Sequence, residues 1–116
     1  MTAKEIRKLR TIKVTEKQAV RLARSAARLR WNPTEYKVDP SCLIQPRRPE
    51  HTAFTAFNVY QCILYNLLEG GEYTTTKLNP VQNSPVRKVR RLTHAGEMAR
   101  IMTGLWSLTK NWVESL

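Results

Sequence analysis

Two stretches of this chain carry residue types that could do chemistry, and in both the chemistry is the binding of anions. In "NSPVRKVRRLTHAGEM" (83–98), Val86, Val89 and Leu92 recur at every third position, with Arg87, Lys88, Arg90 and Arg91 between them. In "TEKQAVRLARSAARLRW" (15–31), Lys17, Arg21, Arg24 and Arg28 recur at i, i+4, i+7 and i+11. Wound as helices, each stretch gives an apolar side and a cationic side. Arginine pairs through a planar fork with phosphate oxygens or with guanine edges. Ser84 followed by Pro85 is the preferred order for opening a helix. The free backbone N–H groups of such a start also bind phosphate. For Lys17, Arg21, Arg24 and Arg28 two readings stand side by side: a helix that tracks phosphates, or a solvated face with Glu16 and Glu35 nearby.

The whole chain agrees with an anionic partner. Its 116 residues carry 20 Lys and Arg against 9 Asp and Glu, a net charge of +11. A balance that basic points to DNA, RNA or an anionic surface. The charge is uneven: residues 1–50 hold 13 basic and 5 acidic groups, and residues 51–116 hold 7 and 4. Long-range attraction is therefore concentrated in the first part, and the second part must rely on placement.

Other chemistries find little support. Cys42 and Cys62 are too few for a disulfide framework, and with His51 and His94 they form no metal-ligand spacing. No metal or other cofactor is expected. There is no Gly-rich phosphate loop and no paired carboxylate in an apolar setting, so no catalytic residue is expected and the chain is read as a non-enzyme. No stretch approaches the length and apolarity of a membrane span, and "MTAKEIRKLRTIK" has no apolar core of a secretion signal. The alanine-rich side of 15–31 is too weak to hold a membrane surface. A cytoplasmic location without membrane contact is expected.

Elements follow from pattern. Thr15 and Gln18 form a capping box ahead of a helix over 15–31, which Asn32-Pro33 ends. Residues 32–50 contain four prolines and read as a connector, with room for one helical turn at 34–38. Phe57, Tyr60, Ile63, Leu64 and Leu67 keep helical spacing in a helix over 51–71, stopped by Gly70-Gly71. Tyr73-Thr74 starts extended, and a short helical turn buries Leu78. A helix over 85–94 follows. Two short runs around Thr103-Gly104 then predict a hairpin over 98–109. Trp112 and Val113 belong to a tail that packs back.

The order from "NLLEGGEYTTTKL" through "SPVRKVRRLTHAGEM" to "ARIMTGLWSLT" resembles the winged helix-turn-helix family over about residues 51–112. The resemblance implies a fold that is mainly α with a small β-hairpin: a winged helix over 51–116 preceded by a basic helical extension and Pro-rich connector over 1–50. It also implies a small transcriptional regulator that binds double-stranded DNA sequence-specifically. Helix 85–94, opened by Ser84, would enter the major groove with Arg87, Lys88, Arg90 and Arg91. The wing over 98–109 would hold the backbone with Arg100, and Lys17, Arg21, Arg24 and Arg28 would add phosphate contacts. A homodimer would suit a two-fold symmetric operator. Residues 10–38 also resemble the start of a ribbon-helix-helix module, with Arg10-Thr11-Ile12-Lys13-Val14 as its strand, although Pro40 cuts short the helix that should follow. The rival reading is a protein-interaction module that docks on an acidic face of a nucleic-acid-processing enzyme and inhibits it.

Overall fold

A computed structural model of the chain describes residues 2–31, 40–44, 54–69 and 95–116. Four α-helices account for most of them: α1 (Ala3–Thr11), α2 (Glu16–Ala27), α3 (Ala56–Glu69) and α4 (Ala95–Glu114), with a 3-10 turn at Pro40–Ile44.

The first two helices open in the same way. Thr2 accepts from the Glu5 N–H while the Glu5 carboxylate accepts from the Thr2 N–H, and Thr15 and Gln18 repeat that reciprocal pair. Each box satisfies backbone donors that a helix start leaves without partners. Between the helices, the Val14 N–H donates to the Phe54 carbonyl at 2.8 Å and the Ala56 N–H to the Ile12 carbonyl at 2.8 Å. Lys13 is thereby bridged antiparallel to Thr55.

One core joins the described parts of residues 1–50 and 51–116. Leu9, Val14, Leu22, Leu43, Ile63, Leu67, Ile101 and Leu105 all lie in it. On α2 the buried positions are Ala19, Leu22, Ala23 and Ala26. Three alanines among them let the neighbouring helices come close, which interiors at crystal-like density require. On α3 the fully enclosed residues are Ala56, Val59, Ile63 and Leu67. Leu64, which shares the same apolar spacing, is half-buried beside them.

Two contacts set the direction of α4. The Trp112 indole N–H donates to the Gln18 carbonyl at 2.9 Å near the start of α2. At the other end, α4 brings Gly104 against the Leu29 side chain, where an added Cβ would fall 2.7 Å from a Leu29 methyl. The two helices therefore run antiparallel. Tyr60 meets Trp106 edge-to-face at 5.8 Å, which ties α3 to the same helix.

The hairpin expected over 98–109 is overturned. Those residues lie inside the 20-residue helix α4, and no strand occurs among the described residues. The physical reason is a better-matched period. Ile101, Leu105, Thr109 and Trp112 fall at i, i+4, i+8 and i+11 and are all buried. A strand would also put Ile101, Leu105 and Thr109 on one face but would turn Trp112 to the other, and only the helical period buries all four. Thr-Gly is too weak a turn signal to compete. Gly104 is kept in the helix because its bare backbone accepts Leu29. The supposed tail at Trp112 and Val113 is the end of α4, and Gly96 is its second residue.

The strand that the ribbon-helix-helix resemblance implied over 10–14 is not formed. Arg10 and Thr11 close α1, a helix the sequence pattern did not suggest, and Lys13 pairs with Thr55 of the same chain. The helices expected over 15–31 and 51–71 are shorter, at Glu16–Ala27 and Ala56–Glu69. The expected helical turn at 34–38, the extended piece and turn at 72–78 and the helix over 85–94 lie outside the described residues.

Two substitutions check this arrangement. Thr103→Pro should cost about 3 kcal/mol or more, since proline inside a helix removes a hydrogen bond and clashes with the preceding turn. An unchanged denaturation midpoint would refute the continuous helix. Ile63→Ala should cost about 2–5 kcal/mol, and Leu64→Ala distinctly less, because only Ile63 is fully enclosed. Equal losses in urea titrations would contradict the placement of the α3 seam.

Candidate nucleic-acid interface

The described cations separate by what they touch. Three are bound to the fold. The Arg30 guanidinium donates to the Leu67 carbonyl, one of the last carbonyls of α3, which the helix itself cannot satisfy. Arg10 lies over the Phe57 ring at 4.7 Å. Lys110 sits over the Trp106 ring at 5.3 Å and 3.8 Å from a Glu5 carboxylate oxygen. None of these was singled out by the sequence pattern. The only prior signal was an aromatic or a helix end that needed a cation, and neither specifies its partner.

Lys17, Arg21, Arg24 and Arg28 are different. All four are exposed, and none has a charged or ring partner among the described residues. The reason is the opposite side of the helix: burying Ala19, Leu22, Ala23 and Ala26 turns these four to solvent. From Lys17 to Arg28 the stripe runs 11 residues, about 16 Å at the usual helical rise. Glu16, Lys17, Val20, Arg21 and Arg24 line an open depression of about 470 Å³. Val20 supplies an apolar patch in it, and the cations supply donors.

The local electrostatics are consistent with helix polarity. Glu16 stands in the first turn, where the helix dipole favours an anion, and Arg24 and Arg28 stand at the end that favours cations. The Glu5 carboxyl is held below its ordinary value of 4.5, chiefly by the Thr2 hydroxyl and the Thr2 N–H, with Lys110 adding attraction. Glu5 is thus committed to capping α1 and does not neutralise the α2 stripe.

The other sequence-derived site residues fall elsewhere. Arg100 is exposed, but on the second turn of α4, so its assignment to a wing is overturned with the wing itself. Ser84, Arg87, Lys88, Arg90 and Arg91 lie outside the described residues. Cys62 is half-buried and burial pushes its thiol up, which leaves little thiolate to react at neutral pH. Among the described residues no cluster of His, Cys, Asp or Glu could hold a metal ion. No helix among them is long and apolar enough to cross a membrane.

No protein-family model matches the chain, and neither a curated protein nor a solved structure was found similar to it.

Acid titration checks the role given to Glu5. Because the folded-state pKa is lowered, its capping contribution is fully present above the ordinary value of 4.5. It is lost as pH falls through the folded value. The parent should therefore lose some thermal stability on acidification that Glu5→Gln does not lose. Identical acid limbs for the two proteins would remove Glu5 from the cap.

Proposed function

We propose that the chain binds double-stranded DNA through its sugar-phosphate backbone, with α2 as the contacting helix. The observation that carries this reading is the set of four exposed, unpartnered cations along one side of a capped helix. A stripe of about 16 Å exceeds the B-form major-groove width of about 12 Å. Its ends can therefore reach phosphates on both walls. The A-form major groove of an RNA duplex is too narrow to admit it. No aromatic residue stands between Lys17 and Arg28, so the surface lacks the stacking platform that single strands use. Phosphate contacts supply affinity and orientation without reading sequence.

A second reading has its own observation. Met98 and Met102 are exposed one helical turn apart on α4, at 38% and 45%, with Arg100 between them in the sequence. Methionines displayed in this way suit adaptable protein contacts. With the basic charge beside them, they fit a protein partner with an acidic face. Pull-down under nuclease treatment separates the two readings, since a protein partner survives digestion and a DNA-mediated one does not.

Salt titration tests the principal reading. Each phosphate contact contributes about 0.9 to the slope of log affinity against log salt. Arg21→Ala and Arg24→Ala should each flatten that slope by about one unit and weaken unrelated duplex sequences alike. Slopes equal to the parent in both variants would exclude α2 from the interface.

A further inference from the structure

We infer that α1 carries a second phosphate-binding face, separate from α2, so that one molecule holds two duplex segments at once. The inference rests on duplex binding by α2 as proposed above and adds to it a bridging activity.

Lys4, Arg7 and Lys8 stand at i, i+3 and i+4 on α1, and all three are exposed. Their direction follows from what the helix buries. Leu9 is enclosed, and Glu5 and Ile6 are half-buried on the same side, so Lys4, Arg7 and Lys8 occupy the other. None of the three has an ionic partner among the described residues. The one carboxylate of the helix, Glu5, is occupied by the Thr2 cap and Lys110. Arg10 is diverted onto Phe57 and does not belong to the face.

The two cationic faces look in different directions. Helices α1 and α2 do not pack on one another; α1 lies on α3, whereas α2 lies on α3, α4 and the 3-10 turn. Their attachments to α4 show the divergence. The α1 residue Glu5 meets Lys110, and the α2 residue Gln18 meets Trp112. Two residues along a helix are about 200° apart around its axis, so these attachments leave α4 on opposite sides. Each helix turns its cations away from its own packing partners. A straight duplex lying along the α2 stripe therefore leaves the α1 face uncovered.

The faces are also held at a fixed separation. Both helices start in capping boxes, and the segment between them is pinned by the buried Val14 and by the two hydrogen bonds to Phe54 and Ala56. A rigid pair of phosphate-binding faces joins duplexes, whereas two faces on a loose tether would fold back onto one.

The test uses the full chain with one immobilised duplex and one fluorescent duplex free in solution. The parent should retain the fluorescent duplex on the immobilised one. The variant Lys4→Ala/Arg7→Ala/Lys8→Ala should lose that retention by about tenfold or more, while its affinity for a single duplex stays within about threefold, because α2 still supplies its phosphate contacts. The variant Lys17→Ala/Arg21→Ala/Arg24→Ala should also lose retention. Lys4→Arg/Lys8→Arg keeps the charge and should retain bridging, and matching helical circular dichroism excludes misfolding as the cause. If the parent binds one duplex and bridges none, the second face is refuted and the α2 reading stands. Bridging that survives in the α1 variant refutes it too, since the second duplex would then be held elsewhere, as by a second copy of the chain. If the parent binds no duplex at all, both the inference and the function it rests on fall.

Discussion

The closeness with which α2 lies against its neighbours is the constraint on which the rest depends. Ala19, Ala23 and Ala26 are completely enclosed, and Leu22 nearly so. Larger side chains there would hold α4 away, and the Trp112 indole would no longer reach the Gln18 carbonyl at hydrogen-bonding distance. The alanine side also fixes the chemistry of the other side. Once 19, 22, 23 and 26 face inward, helical geometry leaves Lys17, Arg21, Arg24 and Arg28 nowhere but outward. Packing and presentation of charge are two consequences of one pattern. Alanine is also the strongest helix former, so the same residues support the helix before any tertiary contact forms.

A molecule this basic must place its cations so that they do not oppose folding. The described structure does so by giving some of them work inside the fold. Arg30 closes the end of α3, Arg10 covers Phe57, and Lys110 lies across Trp106 toward Glu5. Long cationic side chains can pack their stems on apolar surface while the charge stays wet. The cations left over are those on α1 and α2, with Lys13 and Arg100 beside them, and they are spread along helices instead of gathered at one point. Self-repulsion of this kind weakens with salt and is relieved by a polyanion. The arrangement therefore stores attraction for such a partner without a tight site.

What could be read from the residues divides along physical lines. The α2 helix was legible because two independent signals agreed: the Thr15–Gln18 capping box and a wide apolar side opposite a narrow cationic one. The α3 helix was legible for its apolar spacing, although Leu64 and Ile63 could not be ranked, since both lie near the apolar side and only the neighbours decide which is enclosed. The α1 helix was missed because it is short and strongly polar and buries just Leu9 fully, so its apolar side is only a few residues wide. Its evidence was the second capping box, Thr2 with Glu5. The α4 helix was misread because Met-Ala-Arg-Ile-Met-Thr-Gly-Leu-Trp contains strand-forming types around a glycine. The period of Ile101, Leu105, Thr109 and Trp112 emerges only when the window is long enough to include Trp112. Of the candidate site, the four α2 cations were named from spacing alone. The structural engagement of Arg30 and Lys110 was hidden, because it depends on contacts 37 and 105 residues apart in the chain.

Replacing a hairpin with a continuous α4 changes more than a label. A wing would have been a thin, twisted element able to follow a groove, with Arg100 at its edge. A helix of 20 residues instead acts as a strut. Its later half is clamped by Trp112, Trp106 and Gly104, and residues 95–100 are exposed throughout. Arg100 is then one cation on that exposed stretch and has no hairpin to aim it. The described surfaces that do present several cations in a fixed order are α1 and α2, and both precede the Pro-rich residues in the chain. The net charge of residues 2–31 follows from ten basic and two acidic side chains, which is +8 of the chain's total of +11. The cations that the described structure holds in a fixed order thus lie in the part that composition had marked as most basic. What α4 contributes is support: it packs along α2 and α3, and α1 reaches it only through the Glu5–Lys110 pair.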